Sequence, residues 1–249
     1  MRTIVFAVLA MFGTLCVVNA WGQIEVGAGA TLDVGSGSLD AGCQDLSVAG
    51  NLLVVQGSVS GVRSLSIGAG GQLGGGAGTI SWSGDWTNNG VFDAGTSTAS
   101  SVDGCGRAMS AFTTGDTFSR LSLQSGAGRE IRFPSGRTTM VQRSFVAAGL
   151  AGNRLLIRST TAGNAATTAL APAATQSVFA VDVADNHAAP EAIAPGPASS
   201  YQSVKGPNSE GWFDLASSAS IPALSVMGLA LLAAALALAA LLCLANESA

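Results

Sequence analysis

Gly29-Ala-Thr-Leu32-Asp-Val34-Gly35 opens a stretch, residues 29–95, that repeats when set out in lines of about twenty residues. The lines start at Gly29, Gly50, Gly70 and Gly90, spacings of 21, 20 and 20. Leu39, Val59 and Ile80 hold matching offsets of 10, 9 and 10, and Leu46, Leu65 and Trp86 matching offsets of 17, 15 and 16. Self-similarity at a fixed period marks a solenoid. Within each line apolar residues alternate with small or polar ones: Leu46 and Val48, Leu52 and Val54, Leu65 and Ile67, Ile80 and Trp82. That is the period of a strand with one buried face, and the intervening glycines penalise a helix. About twenty residues allow roughly three short strands with their corners. The fold expected is all-β, a right-handed parallel β-helix over residues 21–215, in which each coil buries its apolar face on its neighbours. A β-sandwich or meander is the competing reading. The spaced Leu and Asn pattern of a leucine-rich repeat is missing.

From Phe118 onward the lines lengthen and the glycine marks thin. Leu121, Leu123, Ile131, Phe133, Met140, Phe145, Leu155, Ile157 and residues 178–183 still read as strands. Residues 188–203, with Pro190, Pro195 and Pro197, read as a loop. Residues 206–215 are expected to form a last strand whose Trp212 and Phe213 cover the open core. The glycine-rich run 68–78 precedes a strand, not a helix, so it reads as a tight corner and not as a phosphate loop.

Both chain ends are apolar. Arg2 precedes the run 4–18, and Val18-Asn19-Ala20 supplies small residues for cleavage, so residues 1–20 read as a secretory signal peptide. Residues 223–244 carry no charge. As a helix they would span about 33 Å, enough to cross a bilayer. Residues 216–222 would form a linker and sorting motif, and 245–249 a short tail.

Charged residues are 10% of the chain and the net charge is −4, which argues against a nucleic-acid partner. The charge is uneven. Residues 21–116 hold eight acids against Arg63 and Arg107, whereas 117–160 hold seven arginines against Glu130. Solvated corners explain this asymmetry; a sharper reading is that the basic part binds a polyanionic glycan or the acidic part of another copy.

Candidate chemistry is sparse, and neither catalytic residues nor a cofactor is expected. The one histidine, His187, lies near Asp182 and Asp185 without a local nucleophile to complete a catalytic set. Asp33 and Asp93 share an offset, but three coils at the usual strand spacing put them about 14 Å apart, too far for a hydrolytic pair. Asp40 and Asp45 fall on corners. Calcium at 182–186 or 35–40 is conceivable, although the second lacks the Gly-Gly-x-Gly-x-Asp spacing of a β-roll. Cys43 and Cys105 are the cysteines outside the two apolar ends. Export favours a disulfide between them. Their coil positions oppose it: first and fourth coils lie about 14 Å apart, beyond the roughly 7 Å limit for a bridge. A bridge would therefore imply a wrong register.

Ile221-Pro222-Ala223-Leu224-Ser225-Val226-Met227-Gly228, followed by an apolar helix, resembles the Ile-Pro-Thr-Leu-Ser-Glu-Trp-Gly signal of bacterial proteins with an IPTL-type C-terminal sorting domain. Ile221, Pro222, Leu224, Ser225 and Gly228 match; Ala223 replaces Thr, and no basic cluster follows the helix. In the middle, Gly84-Asp85-Trp86-Thr87-Asn88-Asn89-Gly90-Val91-Phe92 is similar to a coil of the glycine-rich β-helical ectodomains that carry such tails. So are Val181-Asp182-Val183-Ala184-Asp185-Asn186, as a late strand and turn, and Asn208-Ser-Glu-Gly211-Trp212 near the end. The resemblance implies a Gram-negative exported protein. Its ectodomain would stand in the periplasm, held to the inner membrane by the C-terminal helix, or be passed to the cell surface by a sorting protease after the secretion machinery has exported it. A structural or adhesive role toward matrix or surface glycans follows, with a polysaccharide lyase or hydrolase as the alternative.

Overall fold

The structure is a computed structural model that describes residues 17–19 and 22–214. The chain divides into two compact units, Met1–Ala216 and Ser217–Ala249. The second unit, and with it the linker, sorting motif, apolar helix and tail, lies outside the described residues, as does most of the signal-peptide segment. Among the described residues no helix is long and apolar enough to cross a membrane.

The first unit is a parallel β-solenoid of about eight turns. In the N-terminal part each coil presents three short strands. The first face stacks Thr31–Asp33, Asn51–Leu53, Gln72–Gly74 and Val91–Asp93. The second face stacks the leading halves of Ser38–Val48 and Ser58–Ile67 on Thr79–Trp82, Thr98–Ser101 and Thr117–Gln124. It continues through Thr138–Ala148 to Thr175–Phe179. The third face runs from Gln23–Val26 through the trailing halves of those two long strands to Trp86–Asn88. Met109–Ala111, Glu130–Phe133, Leu155–Ser159, Val181–Val183 and Val204–Lys205 carry this face to the C-terminal end. Coils one to eight are thus residues 31–48, 51–67, 72–88, 91–112, 117–133, 138–159, 166–183 and 186–205. Among the described strands one pair is antiparallel: Val17–Asn19 lies on Gln23–Val26 at the N-terminal end.

The repeat read from the sequence is the strand register. Leu39 pairs with Val59 and Val59 with Ile80; Leu46 pairs with Leu65 and Leu65 with Trp86. These columns point inward. Leu46, Leu65, Trp86, Ile80, Val48 and Ile67 are at most 1% exposed. Aliphatic columns give way to rings in the middle coils. Trp82, Trp86, Phe92, Phe112 and Phe118 contact one another, and Phe112 stacks on Phe133 at 4.9 Å.

Two sequence expectations need correction. The run 68–78 is not one corner; Gln72–Gly74 is a strand inside it, flanked by two corners. Residues 206–215 form no strand up to Asp214, the last described residue: the last one is Val204–Lys205, and Trp212 joins Ile193 through an isolated parallel bridge. Trp212 still closes the core, buried at 0% and 6.0 Å from Phe145.

The corners leave no room in one column. A Cβ added at Gly90 would stand 2.3 Å from the Gly71 carbonyl, whereas one at Gly27 would meet nothing within 4 Å. We expect Gly90→Ala to destabilise the solenoid by several kcal/mol and Gly27→Ala by less than about 1 kcal/mol, measured by urea unfolding. Equal effects would contradict this packing.

Candidate functional site

The second face carries a two-column array of hydroxyls. Ser58, Thr79 and Thr98 are register partners in one column, continued by Arg120, Ser144 and Thr175. Ser81, Ser100 and Ser122 are partners in the next, with Ser60 beside them. The triplets that build it, Ser58-Val-Ser60, Thr79-Ile-Ser81 and Thr98-Ala-Ser100, put their apolar middle residue inside and both hydroxyls outside. Among the described residues Ser58, Ser60, Thr79, Thr98, Ser100 and Ser144 have no side-chain hydrogen-bond partner. The spacing is about 4.8 Å between strands and about 6.8 Å along each strand. This face can offer many weak, uncharged hydrogen bonds to a flat partner. The triplets show in the sequence as alternation around each inward residue, but only their apolar members carry a burial signal.

The acids are dispersed. Asp33 and Asp93 share a column with Leu53 and Gly74 between them, so three strand steps separate them. Asp40 and Asp45 lie in one strand, Ser38–Val48, on either side of the bulge that turns the corner. Asp45 accepts from Arg63 Nε at 2.8 Å, and this guanidinium holds its carboxyl below the usual carboxylate range. Asp116 accepts from the Trp86 indole N–H at 2.8 Å and from Asn88 Nδ2 at 2.7 Å, which explains the Trp86-Thr87-Asn88 signature as a structural tie.

His187 sits at the C-terminal end, 2.8 Å from Asn208 Oδ1 and in contact with Glu210. Asn208 Nδ2 donates to Asp185 at 2.9 Å. The Gly163 backbone N–H, first, and this amide hold the Asp185 carboxyl below its usual range. Asp182 pairs with Arg158 at 2.8 Å. The sequence places His187, Asp182 and Asp185 together, but Arg158, Asn208 and backbone N–H groups occupy them. No group of three or more His, Cys, Asp or Glu suited to a metal occurs among the described residues.

A strap, residues 102–108, departs from the repeat of the first three coils. Trp82 and Trp86 are four residues apart, while their partners Ser101 and Phe112 are eleven apart. The seven extra residues run back down the corners. A Cβ on Gly104 would lie 2.9 Å from Ser83 Oγ, and Cys105 Sγ lies 4.0 Å from the Gly61 carbonyl. The strap ends at the first coil in a Cys43–Cys105 disulfide with Cα atoms 5.2 Å apart. The sequence-based objection to this bridge therefore fails, yet the register stands: an insertion backtracks across coils two and three. Both cysteines have positive φ, 64° and 49°, so strand geometry would not bring them together. Buried Arg129 anchors the strap by donating to the Val102 carbonyl and Ser101 Oγ. Asp103 accepts the Gly126 N–H at 2.7 Å, and Asp85 lies 3.5 Å from Arg107.

Two open hollows flank the third face. One is lined by Arg154, Leu156 and Asp182, the other by Glu130, Arg132, Arg158 and Asp185. Arg132 pairs with Glu130 and Arg158 with Asp182, while Arg154 donates to the Gln202 carbonyl at 3.0 Å and Asp185 accepts from Gly163 N–H and Asn208 Nδ2. The sorting-motif residues Ile221, Pro222, Ala223, Leu224, Ser225 and Gly228 lie outside the described residues. No family model, curated protein or solved structure matches the chain.

Two outcomes follow. Cys105→Ser should lower stability by about 2–4 kcal/mol while leaving the far-UV signature of the sheets unchanged, read from denaturant unfolding with and without reductant. For the acids, Asp45, Asp185 and Asp214 are all held low, Asp214 chiefly by Lys205. The unfolded chain then binds more protons in acid, so their stabilisation is complete above the unfolded carboxylate value of about 4 and is lost below it. The melting temperature should stay level from pH 7 to about 5 and fall below about pH 4, as calorimetry would record.

Proposed function

We propose that this is an exported, membrane-tethered cell-envelope protein with a structural or adhesive role, making contacts with matrix or glycans through the solenoid's flat faces. The observation that carries the export half is the Cys43–Cys105 bridge, because such bonds form and persist in oxidising compartments. The apolar segment 1–20 supports a signal peptide, and the uncharged segment 223–244 supports a tether. The match of Ile221, Pro222, Leu224, Ser225 and Gly228 supports handling by a sorting protease. The contact role is supported by the hydroxyl array of the second face, in which Ser58, Ser60, Thr79, Thr98, Ser100 and Ser144 are unpartnered, and by the pairing of the acids with arginine and backbone groups.

Cell fractionation followed by sequencing of the mature termini tests this reading. The chain should begin at Trp21, sediment with membranes and dissolve in detergent, with Cys43 and Cys105 bridged. A cytosolic chain with an intact Met1 and free thiols would refute it. Incubation with insoluble bacterial and plant polysaccharides should give retention without new reducing ends or unsaturated products; such products would favour the lyase or hydrolase reading instead.

A further inference from the structure

Two acids of the acidic part and two arginines of the basic part fall in order along the edge where the first face turns into the second. Asp33, Leu53, Gly74 and Asp93 form one column there. In the neighbouring column Thr98 is followed by Arg120 and then Ser144, with Arg143 immediately before it. The Arg120 guanidinium reaches back over the edge to the Thr96 carbonyl. Along the edge, coil one presents an acid and coil two presents Leu53 and Val55, 39% and 43% exposed. Coil three presents bare glycine, Gly74 to Gly76. Coil four presents Asp93 with Val91, 57% exposed, and coils five and six present Arg120 and Arg143. Asp33 and Asp93 accept hydrogen bonds only from their own turns, at Gly35 and Gly95 (2.8 and 3.0 Å). Arg143 has no acidic partner among the described residues.

We propose that this edge is a self-association surface for a second copy of the chain, lying antiparallel across it. In a parallel pair like charges would face each other. A twofold axis between coils three and four instead puts Asp33 of one copy opposite Arg143 of the other and repeats that contact at the far end. The two residues are five coils apart, about 24 Å. The same axis lays the exposed Leu53 and Val55 against the aliphatic stem of Arg120. A strip about 29 Å by 12 Å would bury roughly 700 Å² in total, below the standard size of a stable interface, so association is weak and salt-sensitive. This deepens the structural role proposed above by naming a partner, and it rests on that reading only for its setting. Its test is made on purified protein and does not depend on where the chain resides.

The full-length protein would be followed by sedimentation equilibrium in one detergent, in which the tail contributes equally to every variant. The wild type should dimerise at about 0.1 mM in low salt and dissociate by 0.5 M salt. Asp33→Arg and Arg143→Asp should each weaken the dimer roughly tenfold. The double variant Asp33→Arg/Arg143→Asp should restore it, and Gln44→Arg on the opposite corner should leave it unchanged. Circular dichroism would confirm that each variant retains its sheets; should either single variant fail to fold, the neutral pair Asp33→Asn and Arg143→Gln takes its place and should weaken association without charge reversal. A wild type that stays monomeric, a dimer indifferent to salt, or single losses that the double variant does not restore would overturn the proposal.

Discussion

Parallel backbone pairing between successive coils is the constraint on which the rest of this structure depends. It places each residue directly over its counterpart one coil earlier, so every position becomes a column with one permitted chemistry. Inward columns are apolar: Leu46 over Ile24, Leu65 over Leu46, Trp86 over Leu65. One corner column excludes side chains altogether. Cβ atoms at Gly50, Gly71 and Gly90 would lie 2.3, 2.1 and 2.3 Å from carbonyl oxygens of the preceding coil or its own turn. The glycine period in the sequence is a consequence of this crowding. It also shows that Gly71, and not Gly70, is the member of that pair which starts its line. Gly70 has a positive φ of 84° and open space, and Gly71 occupies the crowded column.

That constraint also explains how much of the fold is legible in the sequence. Strand period, coil length and the Leu46–Leu65–Trp86 register follow from columns that bury apolar residues, and burial leaves an alternating mark. Features that bury nothing leave no such mark. The strap is built from Val102-Asp-Gly-Cys105-Gly-Arg-Ala108, without alternation, and its course is set by Arg129, Asp103 and a disulfide contributed from elsewhere. A register argument assumes that each coil advances by one strand spacing, so it could not foresee a segment that runs backward. The closing segment misled for the opposite reason. Trp212 and Phe213 are both buried, as strand residues would be, but Phe213 adopts a positive φ of 56° and the segment is held by turns.

The hydroxyl array belongs to a third category, legible but not selected. Its members sit at the outward places of the same triplets that fix the core, and their regularity is inherited from the core's. A column of serines on a solenoid is free of packing demands, so neither burial nor backbone geometry accounts for their identity. Most corner acids, by contrast, have structural duties: Asp45 on Arg63, Asp85 on the Ala111 N–H, Asp116 on Trp86 and Asn88. Charges without an opposite charge beside them include Asp33, Asp93, Arg120 and Arg143 along one edge, and elsewhere Asp40, Arg137 and Glu191.

Nearest-neighbour stacking has a weakness at its ends. A terminal coil is supported on one side only, and its unpaired strand edge is a template for foreign strands. The two ends of this solenoid meet that weakness differently. At the C-terminal end Trp212 packs its indole edge-on against Phe145 and donates to Asn186 Oδ1 at 3.0 Å, so the open core is covered by rings and a buried hydrogen bond. Toward the N-terminal end the strap ties the first coil to the fourth across a sequence separation of 62 residues. Opening the first coil alone then no longer releases a free end, because the covalent bond carries the displacement to the coil that holds Arg129's partners Ser101 and Val102. Four coils that would otherwise fray one by one are coupled into a unit. The same coupling keeps the columns of the second face in line, and an array of weak contacts acts together only while its members stay in register.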